Sequence, residues 1–176
     1  WWWIKLIYNH TVKLYIYSSA GHFNDPDMLE VGNGKLTYDQ NVSHFSLWCM
    51  MNSPLILGND LRSMSEGVKK IITNKNLIAI NQDALAKQAK RVKRGAIDVL
   101  AKPLADGGTA ICFFNKTSHS AGISYNLNKL CSEDYVSLKT ASSYALCDQW
   151  TGETLNTNGK LKLKLKKYQC KVYIIK

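Results

Sequence analysis

Hydrophobic and polar positions in the first half of the chain alternate between short apolar runs and amphipathic stretches. The β-branched and aromatic segment Thr11–Tyr17 ends in a Ser-Ser-Ala-Gly turn and predicts a strand. A polar loop, His22–Gly34, follows it. Thr37 and Gln40 have the spacing of a capping box, which predicts that Tyr38–Asn52 forms a helix.

The same rhythm continues after this helix. Pro54 ends it, and the apolar run Leu55–Leu57 predicts a buried parallel strand. Ser65 is placed to cap a second helix reaching about Thr73, and Leu77–Ile80 is a third short apolar run. Strands alternating with helices are typical of βα units. Two such units cannot close a barrel, so the order of elements implies partners outside this chain.

The second half changes to a period of two with frequent turns, after a basic segment that runs from Lys87 to Arg94 and is predicted to be a linker. The turns are expected at Asp106–Gly108, Thr151–Gly152 and Asn156–Gly159. The predicted strands are Ala96–Lys102, Thr109–Phe114, Ala121–Leu127, Tyr144–Trp150, Lys160–Lys166 and Cys170–Ile175. This pattern predicts a small antiparallel β-domain, a sandwich. In Lys160–Lys166 leucines alternate with lysines, which predicts a leucine face toward the core and a lysine face toward solvent.

Length and composition narrow the class of protein. The chain has 176 residues, too few for a complete (β/α)₈ barrel, which takes about 200–250 or more. Hydrophobic residues make up 45% and charged residues 20%, which excludes disorder as the main state. No run approaches the roughly 20 apolar residues of a membrane span. The first residue is not Met, which predicts a processed product or a fragment.

Charge is distributed unevenly. Residues 1–83 hold seven basic and seven acidic side chains, whereas residues 84–176 hold 16 and 6, which accounts for the whole net charge of +10. These lysines are spread over several segments with few aromatic residues between them. We therefore interpret them as a solvated sheet surface and expect no nucleic-acid partner.

Cysteine and glycine spacing excludes two common kinds of site. The five cysteines are far apart and include no Cys-x-x-Cys pair, so no structural zinc or other metal site is expected. The sequence allows two alternatives for the cysteines: one disulfide in the C-terminal half, or free thiols that are buried. The segment Val31–Gly34 lacks the spacing and the lysine of a phosphate-binding loop.

The densest group of reactive side chains is Gly21–Leu29, directly after the predicted strand Thr11–Tyr17. Asp25 and Asp27 flank Pro26, which fixes one backbone torsion and favours an extended Asp25. Both carboxylates can then face one cavity, and carboxylates suit the recognition of sugar hydroxyls. The alternative is a turn whose side chains cap backbone N–H groups.

The stretch Gly21-His-Phe-Asn-Asp-Pro-Asp-Met-Leu-Glu-Val-Gly-Asn-Gly34 resembles the signature of the α-galactosidase (melibiase) family, glycoside hydrolase family 27. The likeness continues in five further segments: His44–Trp48, Ser53–Arg62, Ile78–Asp83 and, in the second half, Val99–Leu104 and Asp148–Glu153. Residues 1–10 match no part of this pattern. The resemblance implies an α/β plus all-β architecture, the last βα units of an incomplete (β/α)₈ barrel followed by an antiparallel β-sandwich. The implied domains are 1–89, with 1–16 unassigned, and 90–176.

The resemblance also implies an activity and its residues. Family members hydrolyse terminal α-linked galactose with retention, through two aspartates that precede the Asn-Asp-Pro-Asp motif, so no catalytic residue is expected in this chain and the chain alone should be inactive. Asp27 and Met28 correspond to substrate-binding positions, while Asp25 and Asn24 are expected to support the loop from behind. No cofactor or metal is implied. The implied partner is an α-galactoside oligosaccharide or glycoconjugate, with no nucleic acid and no membrane.

Several points remain open at the level of the sequence. Oligomerisation is left open, and an extracellular or lysosomal location is expected if the source is eukaryotic. Asn59 and Asp60 are expected to cap a loop rather than contact sugar. One alternative is a related specificity, for α-N-acetylgalactosaminide or β-arabinopyranoside. Another is a non-catalytic carbohydrate-binding sandwich, which would need aromatic residues exposed together on one sheet face. The aromatic residues that could serve are scattered: Tyr125, Tyr144, Trp150 and Tyr173.

Overall fold

A computed structural model describes residues 1–175, with helices before residue 82 and strands from Lys90 onward. The helices are α1 (Trp2–Thr11), α2 (Tyr38–Met50), α3 (Glu66–Ile72) and α4 (Lys75–Asn81), with 3₁₀ turns at Tyr15–Tyr17, Leu61–Ser63 and Leu127–Ser132. The strands are β1 (Lys90–Lys93), β2 (Ile97–Pro103), β3 (Thr109–Asn115), β4 (Ala121–Asn126), β5 (Tyr144–Asp148), β6 (Thr154–Thr157), β7 (Lys160–Leu165) and β8 (Cys170–Ile175).

The strands form two antiparallel sheets, and the helices add a third layer. One sheet has the order β1-β2-β3-β8-β5-β6, and the other is the pair β4-β7. Side chains that alternate along the central strands divide into two cores: Ile111 and Phe113 of β3 pack toward β4 and β7, whereas Cys112 and Phe114 pack toward the helices. Since both faces of β3 are covered, all seven of its residues are buried.

The predicted sandwich is confirmed, and all six predicted strands are present within two residues of their predicted ends. The alternation in β7 is confirmed as well, because its lysines are exposed and its leucines face the core. Two strands were missed. The basic segment predicted to be a linker contains β1, and β6 overlaps the turn predicted at Asn156–Gly159.

One strand predicted in the first half is wrong, and the third apolar run is helical. Thr11–Tyr17 is not a strand: α1 ends at Thr11, with Ile4, Tyr8 and Thr11 buried on one face, and Tyr15–Tyr17 is a 3₁₀ turn. Leu77–Ile80 lies in α4, where the Asn74 side chain accepts a hydrogen bond from the Leu77 N–H at 3.0 Å and starts the helix.

The other predicted helices are confirmed. Thr37 and Gln40 form the reciprocal capping box at the start of α2, and Ser65 caps α3 through the Val68 N–H. Within residues 1–175 no helix is long and apolar enough to cross a membrane.

The strand predicted at Leu55–Leu57 is reduced to one parallel bridge. Leu57 pairs with Leu29, and the hydrogen bonds run from Leu29 N–H to the Ile56 carbonyl (2.8 Å) and from Gly58 N–H to the Leu29 carbonyl (2.9 Å). This bridge brings the segments after residues 24 and 55 side by side, as adjacent βα units require.

Two buried charged groups link the helical layer to the larger sheet. Asp98 of β2 accepts hydrogen bonds from the Tyr8 hydroxyl (2.9 Å) and the Arg91 guanidinium (3.1 Å), and it forms an ion pair with Lys116 at 2.9 Å. Lys102, on the same strand, is fully buried, and burial lowers its pKa to about 8. Its ammonium donates to the Asn52 side-chain oxygen at 2.6 Å and to a backbone carbonyl.

Candidate functional site

The loop that carries the two aspartates begins with a tight turn. Ser19 and His22 exchange backbone hydrogen bonds of 3.0 and 2.9 Å around Gly21, which has a φ of 80°. The half-buried Asn24 then anchors the loop, donating to the Leu14 carbonyl and to the Gln88 side chain, both at 2.8 Å. Asn24 thus ties the base of the loop to the segment after α1 and to the segment that leads into β1.

The two aspartates have different roles in the loop. The Asp25 carboxylate accepts the Asp27 N–H at 2.9 Å, an Asx turn that supports the backbone from behind. Asp27 itself is exposed, with a φ of 74°, in the left-handed region that non-glycine residues rarely occupy. Its Oδ1 accepts the Met28 N–H at 2.7 Å. Non-glycine residues held in this region cluster at functional sites, so the geometry marks Asp27 as a candidate.

Two residues one turn apart on α2 hold this strained segment at both ends. The Trp48 indole N–H donates to the Asp27 carbonyl at 2.9 Å, and His44 Nε2 accepts the Glu30 N–H at 2.9 Å. The two rings pack edge to face with their centroids 4.1 Å apart. Because both side chains are buried on a capped helix, they fix the backbone of residues 27–30.

Asp27 and Met28 line a cavity of about 540 Å³. The opposite wall is apolar and comes from α1, including Trp3 and Ile7, while Glu30 and Lys35 add charge at the loop side. Met28 is 48% exposed, so its thioether is an open apolar surface beside the carboxylate. A second cavity, of about 650 Å³, is lined by both Asp25 and Asp27. Asp27 therefore separates two concave surfaces, and its side chain is open to both.

The tautomer of His44 follows from its hydrogen bond. Since Nε2 accepts, the proton lies on Nδ1, which has no partner among the described residues. Burial lowers the pKa of His44 to about 3, so the ring is neutral at physiological pH and keeps its acceptor toward Glu30.

Asp60 caps a loop, as predicted. It accepts the Arg62 N–H at 2.9 Å at the start of the 3₁₀ turn and pairs with the Arg62 guanidinium in a bidentate contact. Among residues 1–175 no group of three His, Cys, Asp or Glu side chains is placed to hold a metal ion.

The structure brings Asn24, Asp25, Asp27 and Met28 together in one loop at the edge of the cavities. No role was predicted for His44 or Trp48 from the sequence. Their spacing of four residues on a predicted helix was the available signal, because such residues share one helix face. Their hydrogen bonds to residues 27 and 30 depend on tertiary packing, which the spacing does not reveal.

Models of protein families match both halves of the chain. Residues 3–83 match the family described as alpha galactosidase A, and residues 94–175 match the alpha galactosidase C-terminal beta sandwich domain. The first match begins at residue 3, so most of residues 1–10, which the sequence resemblance left unmatched, lie within the family match.

Individual proteins agree with the family models. An alpha-galactosidase of Oryza sativa is 34% identical over 90% of this chain, and an alpha-N-acetylgalactosaminidase of Gallus gallus is 43% identical over 57% of it. The crystal structure of alpha-galactosidase I from Mortierella vinacea superposes on 98% of this chain with a TM-score of 0.90 and 27% identity.

The chain spans only part of each of these proteins: 37% of the Oryza enzyme, 25% of the Gallus enzyme and 44% of the Mortierella chain. The matched parts are the last portion of the barrel domain and the β-sandwich, and the predicted α/β plus all-β architecture is confirmed. The chain therefore belongs to the α-galactosidase (melibiase) family, glycoside hydrolase family 27.

Proposed function

We propose that this chain is part of a retaining α-galactosidase, in which residues 1–89 complete a (β/α)₈ barrel and residues 90–176 form the sandwich domain. In this proposal the nucleophile and the acid/base are aspartates on barrel strands upstream of Trp1. Retaining hydrolysis requires two carboxylates about 5 Å apart, one of which forms a covalent glycosyl intermediate. The terminal galactose of an α-galactoside is the proposed substrate.

The observation that carries the proposal is the exposed pair Asp27 and Met28 at the cavity wall. The carboxylate has acceptor capacity for two neighbouring sugar hydroxyls, and the thioether offers an apolar surface to the ring carbons. Trp48 and His44 fix the backbone on which both side chains stand, and such preorganisation reduces the cost of ordering the loop on binding. Asp25 and Asn24 contribute by holding the loop and have no proposed contact with sugar.

The proposal predicts that the 176-residue chain alone has no activity, because both reacting carboxylates lie outside it. Incubation of the purified chain with an aryl α-galactoside should release no aryl alcohol above the rate of a buffer blank. Turnover that follows chain concentration and is abolished by Asp27→Asn would overturn the assignment of the reacting groups.

The role of Asp27 is tested in the longer protein, expressed with its own upstream sequence. Asp27→Asn tolerates a positive φ but loses the negative charge, so we expect kcat/KM for an aryl α-galactoside to fall at least 100-fold, about 3 kcal/mol of lost stabilisation. Asp134→Asn, at an exposed position of the sandwich, is the matched control and should change nothing. An unchanged kcat/KM in Asp27→Asn would contradict the proposed contact.

A second specificity is favoured by one comparison. The Gallus relative at 43% identity is an alpha-N-acetylgalactosaminidase, and N-acetylgalactosamine differs from galactose by an acetamido group in place of the hydroxyl on carbon 2. Assays of the longer protein with aryl α-galactoside and aryl α-N-acetylgalactosaminide distinguish the two, since the preferred substrate should have the higher kcat/KM.

The alternative of a carbohydrate-binding sandwich has less support. Tyr125, Tyr144 and Tyr173 are buried, and Trp150 packs toward α2 with its indole N–H donating to Ser46 at 3.0 Å. These four rings therefore form no exposed stacking platform for a sugar.

A further inference from the structure

Two cysteine thiols meet in the larger sheet. The Sγ atoms of Cys112 on β3 and Cys170 on β8 are 3.1 Å apart, closer than the ordinary contact of two thiols. In the β3–β8 register Cys112 lies opposite Val172 and Cys170 opposite Phe114, so the two cysteines are diagonal neighbours. Both side chains belong to the core between the sheet and the helices, and diagonal neighbours of an antiparallel pair are within side-chain reach.

We propose that Cys112 and Cys170 form a structural disulfide when the chain folds in the presence of a disulfide oxidant. The bond requires the sulfurs to move from 3.1 Å to about 2.0 Å. In the balanced step, one thiolate attacks the oxidant and releases one of its thiols. The second cysteine then displaces the other, so the two cysteines lose two protons and two electrons and the oxidant is reduced to two thiols.

The remaining cysteines have no such neighbour among residues 1–175. Cys49 is buried in α2, and burial raises its pKa. Cys131 contacts the Tyr144 hydroxyl at 3.6 Å, and the Cys147 thiol points to the Gly152 carbonyl at 3.9 Å. Sulfur proximity therefore selects one pair out of the ten that five cysteines could form.

Burial limits when the bond can form. Cys112 is fully buried and Cys170 is 3% exposed, and burial also raises the pKa of the Cys112 thiol. A dissolved oxidant reaches them only before the helices cover this face of the sheet, or after that layer opens. The structure therefore favours oxidation during folding.

The bond would close a loop across a separation of 58 residues, which contains β4, β5, β6 and β7. Cross-linking a loop of this size reduces the conformational entropy of the unfolded chain. For a protein of this length the chain-entropy relation corresponds to a rise in Tm of about 10 °C.

The test refolds the 176-residue chain from urea with a mixture of reduced and oxidised glutathione, and in parallel with a thiol reductant. Free thiols are counted in denaturant, and a peptide map without reduction identifies any cross-link. We expect five free thiols after reduction and three after oxidation, a linked peptide pair containing Cys112 and Cys170, and the higher Tm in the oxidised sample.

Two variants serve as controls. The double variant Cys131→Ser/Cys147→Ser keeps the buried pair and should still lose two thiols on oxidation. In Cys112→Val/Cys170→Ala the difference in Tm between the two conditions should disappear. Where that variant fails to fold, the non-reducing peptide maps of the wild type and of Cys131→Ser/Cys147→Ser show whether Cys112 and Cys170 are linked. Five free thiols after oxidative refolding, or cross-links that involve Cys131 or Cys147 as often as Cys112, would overturn the proposal.

Discussion

His44 shows how one buried side chain links protonation to the geometry of the candidate site. Its Nε2 accepts the Glu30 N–H only while the ring is neutral, and burial, which lowers the pKa to about 3, maintains that state. In the unfolded chain the pKa returns to about 6.5. Between these two values the unfolded state therefore binds more protons than the folded state.

The free energy of unfolding should accordingly fall as the pH is lowered from 6.5 toward 3, by on the order of 3 kcal/mol at pH 4. Urea titrations at pH 4, 5 and 7 measure it. His44→Gln retains an acceptor that does not titrate and should flatten this dependence, whereas His119→Gln, at an exposed position, should leave it unchanged. Equal slopes in the wild type and His44→Gln would assign the effect to other groups.

At the scale of elements, α1 is attached to the sandwich through a buried network. Tyr8 of α1 donates its hydroxyl to Asp98 of β2, and Arg91 and Lys116 surround the same carboxylate. A buried carboxylate with two cations is costly to disturb, because removing its charge leaves both cations without a counter-ion.

Asp98→Asn should therefore lower the free energy of unfolding by about 3–5 kcal/mol. Tyr8→Phe keeps the ring packed on Phe114 and removes one hydrogen bond to a charged group, so it should cost about 2 kcal/mol. Asp106→Asn, in an exposed turn, is the matched control and should stay within about 0.5 kcal/mol of the wild type. Denaturant unfolding of the four proteins measures these differences, and a loss in Asp98→Asn no larger than in Asp106→Asn would exclude a stabilising role for the network.

The elements that were predicted correctly are those whose sequence pattern involves only residues close together in the chain. The capping box at Thr37 and the lysine–leucine alternation of β7 depend on neighbouring residues alone, and both are confirmed. The two missed strands, β1 and β6, lie at the edges of the six-stranded sheet. Edge strands are short and polar because they have a neighbour on one side only, so they lack the apolar pattern that identified the others.

The segments of the first half that are not strands have a different cause. Thr11–Tyr17 is rich in residues that favour strands, but only Thr11 lies in α1, and the chain then forms a 3₁₀ turn at Tyr15–Tyr17. Leu77–Ile80 is apolar, but α4 buries Leu77 and Ile80, three residues apart, on one face. Tertiary burial outweighs intrinsic preference there. For the candidate site, the Asn-Asp-Pro-Asp motif identified the loop from sequence. The support from His44 and Trp48 depends on where α2 packs, and no local pattern encodes that position.

At the scale of the whole molecule, Lys102 connects the sheet to the helical layer. Because its pKa differs between the folded and unfolded states, it makes the free energy of unfolding depend on pH in the alkaline range. The folded state releases its proton near pH 8 and the unfolded state near 10.4, so the unfolded state binds the extra proton between these values. The free energy of unfolding should therefore rise with pH from 8 toward 9.5, by about 2 kcal/mol.

Urea titrations at pH 7.5, 8.5 and 9.5 measure this rise. Lys102→Met should abolish it, whatever its effect on the stability at neutral pH, because the titrating group is then gone. The control is Lys162→Met, at an exposed position of β7, which should keep the rise. A rise that persists in Lys102→Met would show that another group is responsible.

The position of β8 has a consequence for how the protein is made. The strand that joins β3 to β5 follows all the other strands of the sheet along the chain, so the two halves of the six-stranded sheet remain separate until residues 170–175 have been synthesised. While the ribosome still holds residues 170–175, each half presents a bare strand with unpaired N–H and C=O groups to other nascent chains. A stop codon just before Cys170 would make that exposure permanent. The product would be prone to aggregate even though every residue of the loop around Asp27 is present.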